Sequence, residues 1–150
     1  MQRLTKSWTW LVALVCLGLT SQLWAAPAEK PFAEKKVVLQ ISDADASKQT
    51  LVLNVASNLV KHYGPDQVDV EIVAFGPGLR LLFADNSNAG RIDNLAENSG
   101  VRFSACSNTM KKVTKNLGYE PQLDANATPV SAGVVRILDL VSKGYVLIKP

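Results

Sequence analysis

Apolar and polar residues follow two periodicities along this chain. Residues 36–41 form a short apolar run rich in β-branched side chains, which predicts a buried strand. From Ser47 onward, apolar residues recur at helical spacing until Gly64 and Pro65, which predicts an amphipathic helix that ends there. The order of strand, loop and helix then repeats.

The remaining periodicity completes an alternating pattern. Further strands are predicted at residues 68–75, 101–105, 128–131 and 145–148. Further helices are predicted at 108–117 and 132–142, and at 79–83 and 92–97 as two short helices or one broken helix. This alternation predicts the α/β class: a single-domain, three-layer fold in which a five-stranded, mainly parallel sheet carries helices on both faces.

The N-terminus has the pattern of a secretory signal peptide. Basic residues precede an apolar core at residues 8–19, and small residues follow it. We therefore expect residues 1–28 to be a signal peptide, cleaved after Ala25 or Ala28, and residues 29–150 to form the domain. The apolar core is shorter than the roughly 20 residues that cross a bilayer. These features predict a periplasmic or secreted protein without stable membrane insertion.

Charge adds little to the functional picture. The chain has 16 Lys and Arg residues and 13 Asp and Glu residues, and loss of Arg3 and Lys6 with the signal peptide leaves 14 − 13 = +1. The remainder has no cluster of basic residues with interleaved aromatics, so nucleic-acid binding is not expected.

Cysteine content is more informative. Cys16 lies within the predicted signal peptide, so Cys106 is the single thiol of the predicted mature chain. It can form no internal disulfide, and the chain has no Cys-X-X-Cys motif for dithiol chemistry. One cysteine and one histidine, His62, do not make a closed metal site, so we expect no metal and no cofactor.

Cys106 is predicted at the edge of the sheet where chemistry gathers. In open parallel sheets, loops and helix N-termini converge at the carboxyl ends of the strands. Cys106 lies between a predicted strand and a predicted helix, where unsatisfied N–H groups and the helix dipole favour a thiolate. Ser107 or Asn108 is the expected N-cap. A free cysteine also packs well as a small apolar residue, so a reactive and a structural role both stay open.

Other small and polar residues at the same edge are weaker candidates. Asp43 and Asp45 are expected to cap the first helix, with ligand binding as the second interpretation. Gly76 and Gly78 predict a tight turn that also lets the backbone approach a neighbour or a ligand. The predicted site is catalytic Cys106 with these binding candidates: Asp43, Asp45, Gly76, Gly78, Ser107, Asn108, Thr109 and Ser131.

The third predicted strand contains a charged residue. Arg102 and Ser104 alternate with Val101 and Phe103, so the two pairs face opposite sides of the strand. An arginine within a strand predicts a sheet edge or a subunit contact, with a solvated face as the simpler interpretation.

Four motifs together resemble the DsrE/DsrF-like proteins. They are Val37-Val-Leu-Gln-Ile-Ser-Asp, Val73-Ala-Phe-Gly-Pro-Gly-Leu, Gly100-Val-Arg-Phe-Ser-Ala-Cys-Ser-Asn-Thr-Met and the closing Gly144-Tyr-Val-Leu-Ile-Lys-Pro. The resemblance implies a five-stranded α/β fold that assembles into trimers or hexamers. In relatives of this type, a cysteine in this kind of loop carries sulfur as a persulfide and passes it between partners. Cys106 matches that position.

The predicted signal peptide departs from this family pattern, because the sulfur-relay proteins act in the cytoplasm with dedicated partners. Their sulfur donors and acceptors therefore do not transfer to this chain. The leading hypothesis is an exported carrier, rather than a turnover enzyme, that holds a persulfide or a mixed disulfide on Cys106. One alternative is a non-catalytic, oligomeric module that binds a small ligand or a partner and has a structural cysteine. Another is a redox sensor that dimerises through Cys106.

Overall fold

The computed structural model describes residues 28–150, so the predicted signal peptide lies outside the described residues apart from Ala28. Strands and helices alternate along the described chain in the order that the periodicity predicted. They are β1 (Lys35–Ile41), α1 (Ala46–Tyr63), β2 (Val68–Ala74), a 3₁₀ helix (Gly76–Leu82), α2 (Ala89–Ser99), β3 (Arg102–Cys106), α3 (Ser107–Leu117), β4 (Ala127–Val130), α4 (Gly133–Ser142) and β5 (Val146–Ile148).

The strands of residues 28–150 form one parallel sheet of five strands in the order β4-β3-β2-β1-β5. This confirms the predicted α/β class with a parallel sheet. Strand β3 pairs with β2 on one side and β4 on the other. The prediction that Arg102 marks a sheet edge is therefore wrong.

The two faces of the sheet are covered unequally. On one face, which we call the three-helix face, α1, α2 and α3 pack with the 3₁₀ helix against core residues such as Leu39 and Phe103. On the opposite face, the α4 face, Ile137 of α4 packs against Val38 and Val73. A helix about 10 Å wide covers roughly two strands spaced about 4.8 Å apart. One helix therefore leaves the β3–β4 end of the α4 face open.

The chain connections create a crevice at the carboxyl ends of β3 and β4. The chain leaves β3 towards the three-helix face and leaves β4 towards the α4 face. Neighbouring strands whose connections diverge leave an opening between their loops, and open α/β sheets bind ligands there. Cys106 ends β3 and Ser131 follows β4, so both residues flank this crevice.

Two glycines are required by local geometry. Gly118 ends α3 in the left-handed conformation. Gly78 lies against the end of β1, where an added Cβ would be 2.4 Å from the carbonyl oxygen of Ile41. This confirms that the turn at Gly76 and Gly78 brings the backbone close to a neighbour.

Candidate functional site

The Cys106 side chain points to the α4 face. Strand residues alternate between the two faces, and Phe103 and Ala105 belong to the core of the three-helix face. Cys106 therefore points the other way, together with Ser104 and Arg102. The residue is 5% exposed, so the thiol is buried beside the crevice.

Cys106 itself takes the N-cap position of α3. Its backbone is extended, with φ −68° and ψ 111°, and the helix begins at Ser107. The prediction of Ser107 or Asn108 as N-cap is therefore wrong, because β3 continues to Cys106 and the helix follows without a loop. The sulfur stands where a capping oxygen ordinarily accepts the N–H groups of the first turn.

Hydrogen-bond donors surround the sulfur. Burial by itself raises the pKa of the Cys106 thiol, but hydrogen bonds from the Thr109 hydroxyl and from the N–H groups of Gly133, Thr109 and Asn108 outweigh it. The pKa is therefore held below its usual value. The Cys106 side chain makes no capping hydrogen bond with the first turn of α3, and the nearby donors act on the thiol by favouring its thiolate form.

A second hydrogen bond orients the Thr109 hydroxyl. The N–H of Gly76, in the loop after β2, donates to Thr109 Oγ1 at 2.9 Å. A hydroxyl that accepts this bond keeps its own proton free to donate to the sulfur. The loop after β2 therefore supports the thiol indirectly through Thr109.

Two helix N-termini converge on the thiol. Asn108 and Thr109 belong to the first turn of α3, and Gly133 is the first residue of α4. Each helix N-terminus carries a partial positive charge that favours an anion. An added Cβ at Gly133 would be 3.0 Å from the Phe75 side chain, so glycine lets the start of α4 pack closely against Phe75. The sequence showed only that a helix starts near Gly133, and its role at the sulfur was not predicted.

The two predicted aspartates lie apart from the thiol's donors. Asp45 is the N-cap of α1, and its Oδ1 accepts the N–H groups of Ser47 and Lys48 at 2.9 and 3.0 Å. Asp43 forms an ion pair of 3.2 Å with Lys48. The capping prediction is confirmed for Asp45 and wrong for Asp43, because α1 has a single N-cap residue. These contacts all stay at the start of α1.

Of the other predicted binding residues, some lie at the thiol and others lie elsewhere. Gly76, Asn108 and Thr109 belong to the surroundings of the thiol. Gly78 packs against β1, and Ser131 is exposed in the loop after β4.

A buried charge network on the α4 face was not predicted. Asp69 and Glu71 of β2 are 0% exposed, and Arg102 is 7% exposed. The Arg102 guanidinium lies 3.0 Å from Asp69 and 2.9 Å from Glu71, so the interpretation of Arg102 as part of a solvated face is wrong. The available signal was the alternation of Asp69 and Glu71 with apolar residues along β2. Only the register of β2 and β3 brings these carboxylates beside Arg102.

Three further side chains complete this network. Arg136 of α4 binds Glu71 through Nε and Nη2, each at 2.7 Å, and Ser104 donates to Glu71 at 2.6 Å. Tyr145 donates to Asp69 and accepts from Arg102, and burial raises the pKa of its hydroxyl. The network therefore ties α4 and the β5 side of the molecule to β2 and β3.

Two grooves adjoin the crevice. The β3–β4 groove lies on the α4 face, has a volume of about 290 Å³ and is lined by Glu29, Glu71, Arg102, Ser104, Thr128, Val130 and Arg136. Val130 is the in-register neighbour of Cys106 on β4, so this groove reaches the strand position beside the thiol. A larger groove of about 510 Å³ lies on the three-helix face, where Ser107 and Met110 contribute to its wall. Since Cys106 points to the α4 face, the smaller groove is the one associated with the thiol.

Neither a metal-ligand cluster nor a membrane-spanning helix occurs in the described part of the chain. Residues 28–150 contain no group of three or more His, Cys, Asp and Glu side chains placed to hold a metal ion. No helix in the same residues is long and apolar enough to cross a membrane.

Comparison with known proteins identifies a relative of unknown function. No family model and no curated protein matches the chain. The solved structure of MTH1491, a protein of unknown function from Methanobacterium thermoautotrophicum, is 30% identical and has a TM-score of 0.69, over 77% of this chain and 99% of that one. This chain belongs to the MTH1491 family. Membership in the MTH1491 family agrees with the α/β fold. The function of MTH1491 is unknown, so this membership indicates no chemistry.

Proposed function

We propose that this protein is an exported sulfur carrier that holds a persulfide or a mixed disulfide on Cys106. The observation that carries the proposal is the set of hydroxyl and N–H donors that favour a thiolate in a buried position. Cys106 is the only cysteine of residues 28–150, and a carrier needs no second one. The resemblance to the DsrE/DsrF-like proteins supports the same chemistry at the same position.

The loading step needs a persulfide donor and no oxidant. The Cys106 thiolate attacks the outer sulfur of a donor R–S–SH. A new S–S bond forms at Cys106, the donor's own S–S bond breaks, and the donor leaves as the thiolate R–S⁻. Cys106 is then a persulfide, and attack of an acceptor thiolate on its outer sulfur reverses the sequence.

The donors around the thiol suit a carrier better than a turnover enzyme. They are a hydroxyl and three N–H groups, and none of these gains or loses a proton near neutral pH. A hydrolytic or acyl-transfer enzyme requires a titratable acid or base close to its nucleophile. Sulfur transfer requires only a nucleophilic sulfur and access to it.

Burial of Cys106 favours a second candidate. At 5% exposed, the cysteine can also be a structural residue in a module that binds a small ligand or a partner chain. In that case the β3–β4 groove is the binding site, and the donors at the sulfur serve to order the starts of α3 and α4.

Intact mass spectrometry tests the carrier proposal. After incubation with a small persulfide donor, we expect each chain to gain one sulfur atom, which a reductant removes. The Cys106→Ser variant should gain none. An unchanged mass in the native protein, or an equal gain in Cys106→Ser, contradicts the proposal.

Thiol labelling separates the two candidates. A carrier's thiol should react with a small alkylating reagent in the native fold, whereas a structural cysteine should react only after denaturation. The fraction labelled under native conditions therefore selects between them.

Export and assembly belong to the same proposal. The pattern of residues 1–28 supports cleavage of a signal peptide and a periplasmic or secreted location. Exposed apolar side chains on α4 support a homo-oligomer, which we propose to be a trimer or a hexamer: Val134, Val135, Leu138 and Val141. Sulfur donors and acceptors would then be molecules of that compartment.

A further inference from the structure

The segment before β1 places a carboxylate among three cations, two of which, Arg102 and Arg136, line the β3–β4 groove. Glu29 Oε1 lies 2.8 Å from Lys143, 3.6 Å from Arg136 and 3.8 Å from Arg102. Only the first distance is that of a hydrogen bond. Glu29 therefore places a negative charge beside the two arginines without satisfying their N–H groups.

Both arginines keep donor capacity within the described part of the chain. A guanidinium has five N–H groups, and Arg136 directs Nε and Nη2 to Glu71, which leaves Nη1 without a protein acceptor. Arg102 commits Nη2 to Asp69 and Tyr145 and pairs Nη1 with Glu71, and its buried Nε has no partner among the described residues. Arg136 Nη1 can thus donate to a further oxygen ligand in the groove, and the Arg102 guanidinium adds its positive charge there.

The charged side chains around Glu29 carry one net positive charge when Glu29 itself is left out. Arg102, Arg136 and Lys143 are positive, and the two buried carboxylates of β2 offset two of these charges. Glu29 supplies the third negative charge, since its hydrogen bond with Lys143 lowers the pKa of its carboxyl. A monoanion that replaced Glu29 would leave the group neutral.

Glu29 can leave this position without unfolding its segment. Its side chain is 40% exposed, and exposed ion pairs contribute little stability. The next residue, Lys30, holds the segment in place, because its N–H donates to Asp69 at 2.8 Å and its Nζ donates to the Ser99 carbonyl at 2.7 Å. Rotation of the Glu29 side chain alone therefore removes its carboxylate from the three cations.

We propose that the β3–β4 groove binds a small monoanionic molecule whose carboxylate or sulfonate head group displaces Glu29 from Arg102, Arg136 and Lys143. The volume of about 290 Å³ suits a small molecule. Val130 lines the groove next to the position of Cys106, so the ligand's other end points along the strands towards the thiol. This site stands on the groove and its charges, and it does not depend on sulfur chemistry at Cys106.

Titration calorimetry with acetate and methanesulfonate, at constant ionic strength, tests this site. The protein carries Cys106→Ser so that no covalent reaction contributes heat. We expect Glu29→Gln to bind at least one probe about fivefold tighter than the parent, since the competing carboxylate is gone. Glu34→Gln removes an exposed carboxylate that pairs only with its neighbour Lys35, and it should leave the affinity unchanged. The preferred probe identifies the head group.

Lys143→Gln, added to Glu29→Gln, should reverse the gain. Lys143 is half-exposed, so this change leaves the buried network intact, whereas removal of Arg136 would take two hydrogen bonds from the buried Glu71. Nitrogen-resolved NMR of the arginine Nε–H groups should show shifts at Arg102 and Arg136 on addition of the probe. Equal affinities in the parent, Glu29→Gln and Glu34→Gln, or no arginine shift, would overturn the proposal and leave the carrier proposal untouched.

Discussion

A cysteine occupies the N-cap position of α3, and this has a chemical consequence for Cys106. A capping oxygen satisfies the N–H groups of a helix in its neutral form, whereas a neutral thiol is a weak acceptor. The N–H groups of Asn108 and Thr109 are therefore satisfied best when Cys106 is ionised. The sulfur atom of Cys106 therefore affects both the hydrogen bonding of the first turn of α3 and the acidity of the thiol.

Replacement of Thr109 by valine measures the contribution of its hydroxyl. Valine keeps the shape and removes the hydrogen bond, so the pKa of Cys106 should rise. Below the midpoint, the thiolate fraction should fall about tenfold, the effect of losing one hydrogen bond to a charged group. Ultraviolet absorbance of the thiolate during a pH titration gives this fraction without requiring access to the sulfur. Thr50→Val, at an exposed threonine of α1, should leave the titration unchanged.

The lowered pKa also predicts how stability depends on pH. Folding lowers the pKa of Cys106, so the folded chain loses this proton at lower pH than the unfolded chain does. The added stability is lost as pH falls through the folded pKa and is complete above the unfolded value, near ~8.5. The difference in free energy of unfolding between the native protein and Cys106→Ser should therefore grow with pH over that window. Urea melts at several pH values measure it, and a constant difference would contradict the assignment.

Among the elements, the 3₁₀ helix packs on β1 so closely that Gly78 has no room for a side chain. An added Cβ would be 2.4 Å from the Ile41 carbonyl oxygen, and backbone cannot move aside cheaply. We expect Gly78→Ala to lower the free energy of unfolding by about 3 kcal/mol. Gly90→Ala is the matched control, because Gly90 lies in α2 with open space around it and should gain up to about 1 kcal/mol. Chemical denaturation compares the two, and equal effects would refute the packing argument.

Periodicity predicted the type and order of the elements, with ends displaced by up to three residues. The displacement at β3 has a clear cause. Val101 is 1% exposed yet precedes the strand, so burial extended the apolar run beyond the paired residues. An apolar run indicates which residues are buried, but it does not indicate which of them pair with a neighbouring strand.

The candidate site was predicted only as far as it depends on single elements. Cys106 follows from the position of one strand and one helix. The Gly133 donor requires α4 to dock on the face opposite α3, and the pairing of Arg102 with Glu71 requires the register of two strands. Local patterns carry neither kind of information, because both are set by contacts between residues far apart in the chain.

Considered as a whole molecule, the protein presents a helix that is apolar on its outer side as well. Ile137 and Leu140 of α4 are buried against the sheet, but Leu138 is 63% exposed. Neighbouring exposed apolar side chains of this kind ordinarily mark an interaction surface. We expect Leu138→Lys to dissociate the proposed homo-oligomer in sedimentation velocity while the fold is retained in circular dichroism. Leu117→Lys, at an exposed leucine that ends α3, should not. A native protein that sediments as a monomer would contradict this prediction.

The convergence of α3 and α4 on one sulfur also sets when that sulfur becomes acidic. The N–H of Gly133 reaches Cys106 only after the final crossover of the chain has crossed the sheet and docked. Before that moment the cysteine lacks one of its donors and behaves more like an ordinary thiol, slow to attack other sulfur atoms. The thiol therefore reaches its full acidity only late in folding, after α4 has docked. An incompletely folded chain, in which α4 has not yet docked, therefore has a less acidic thiol than the finished protein.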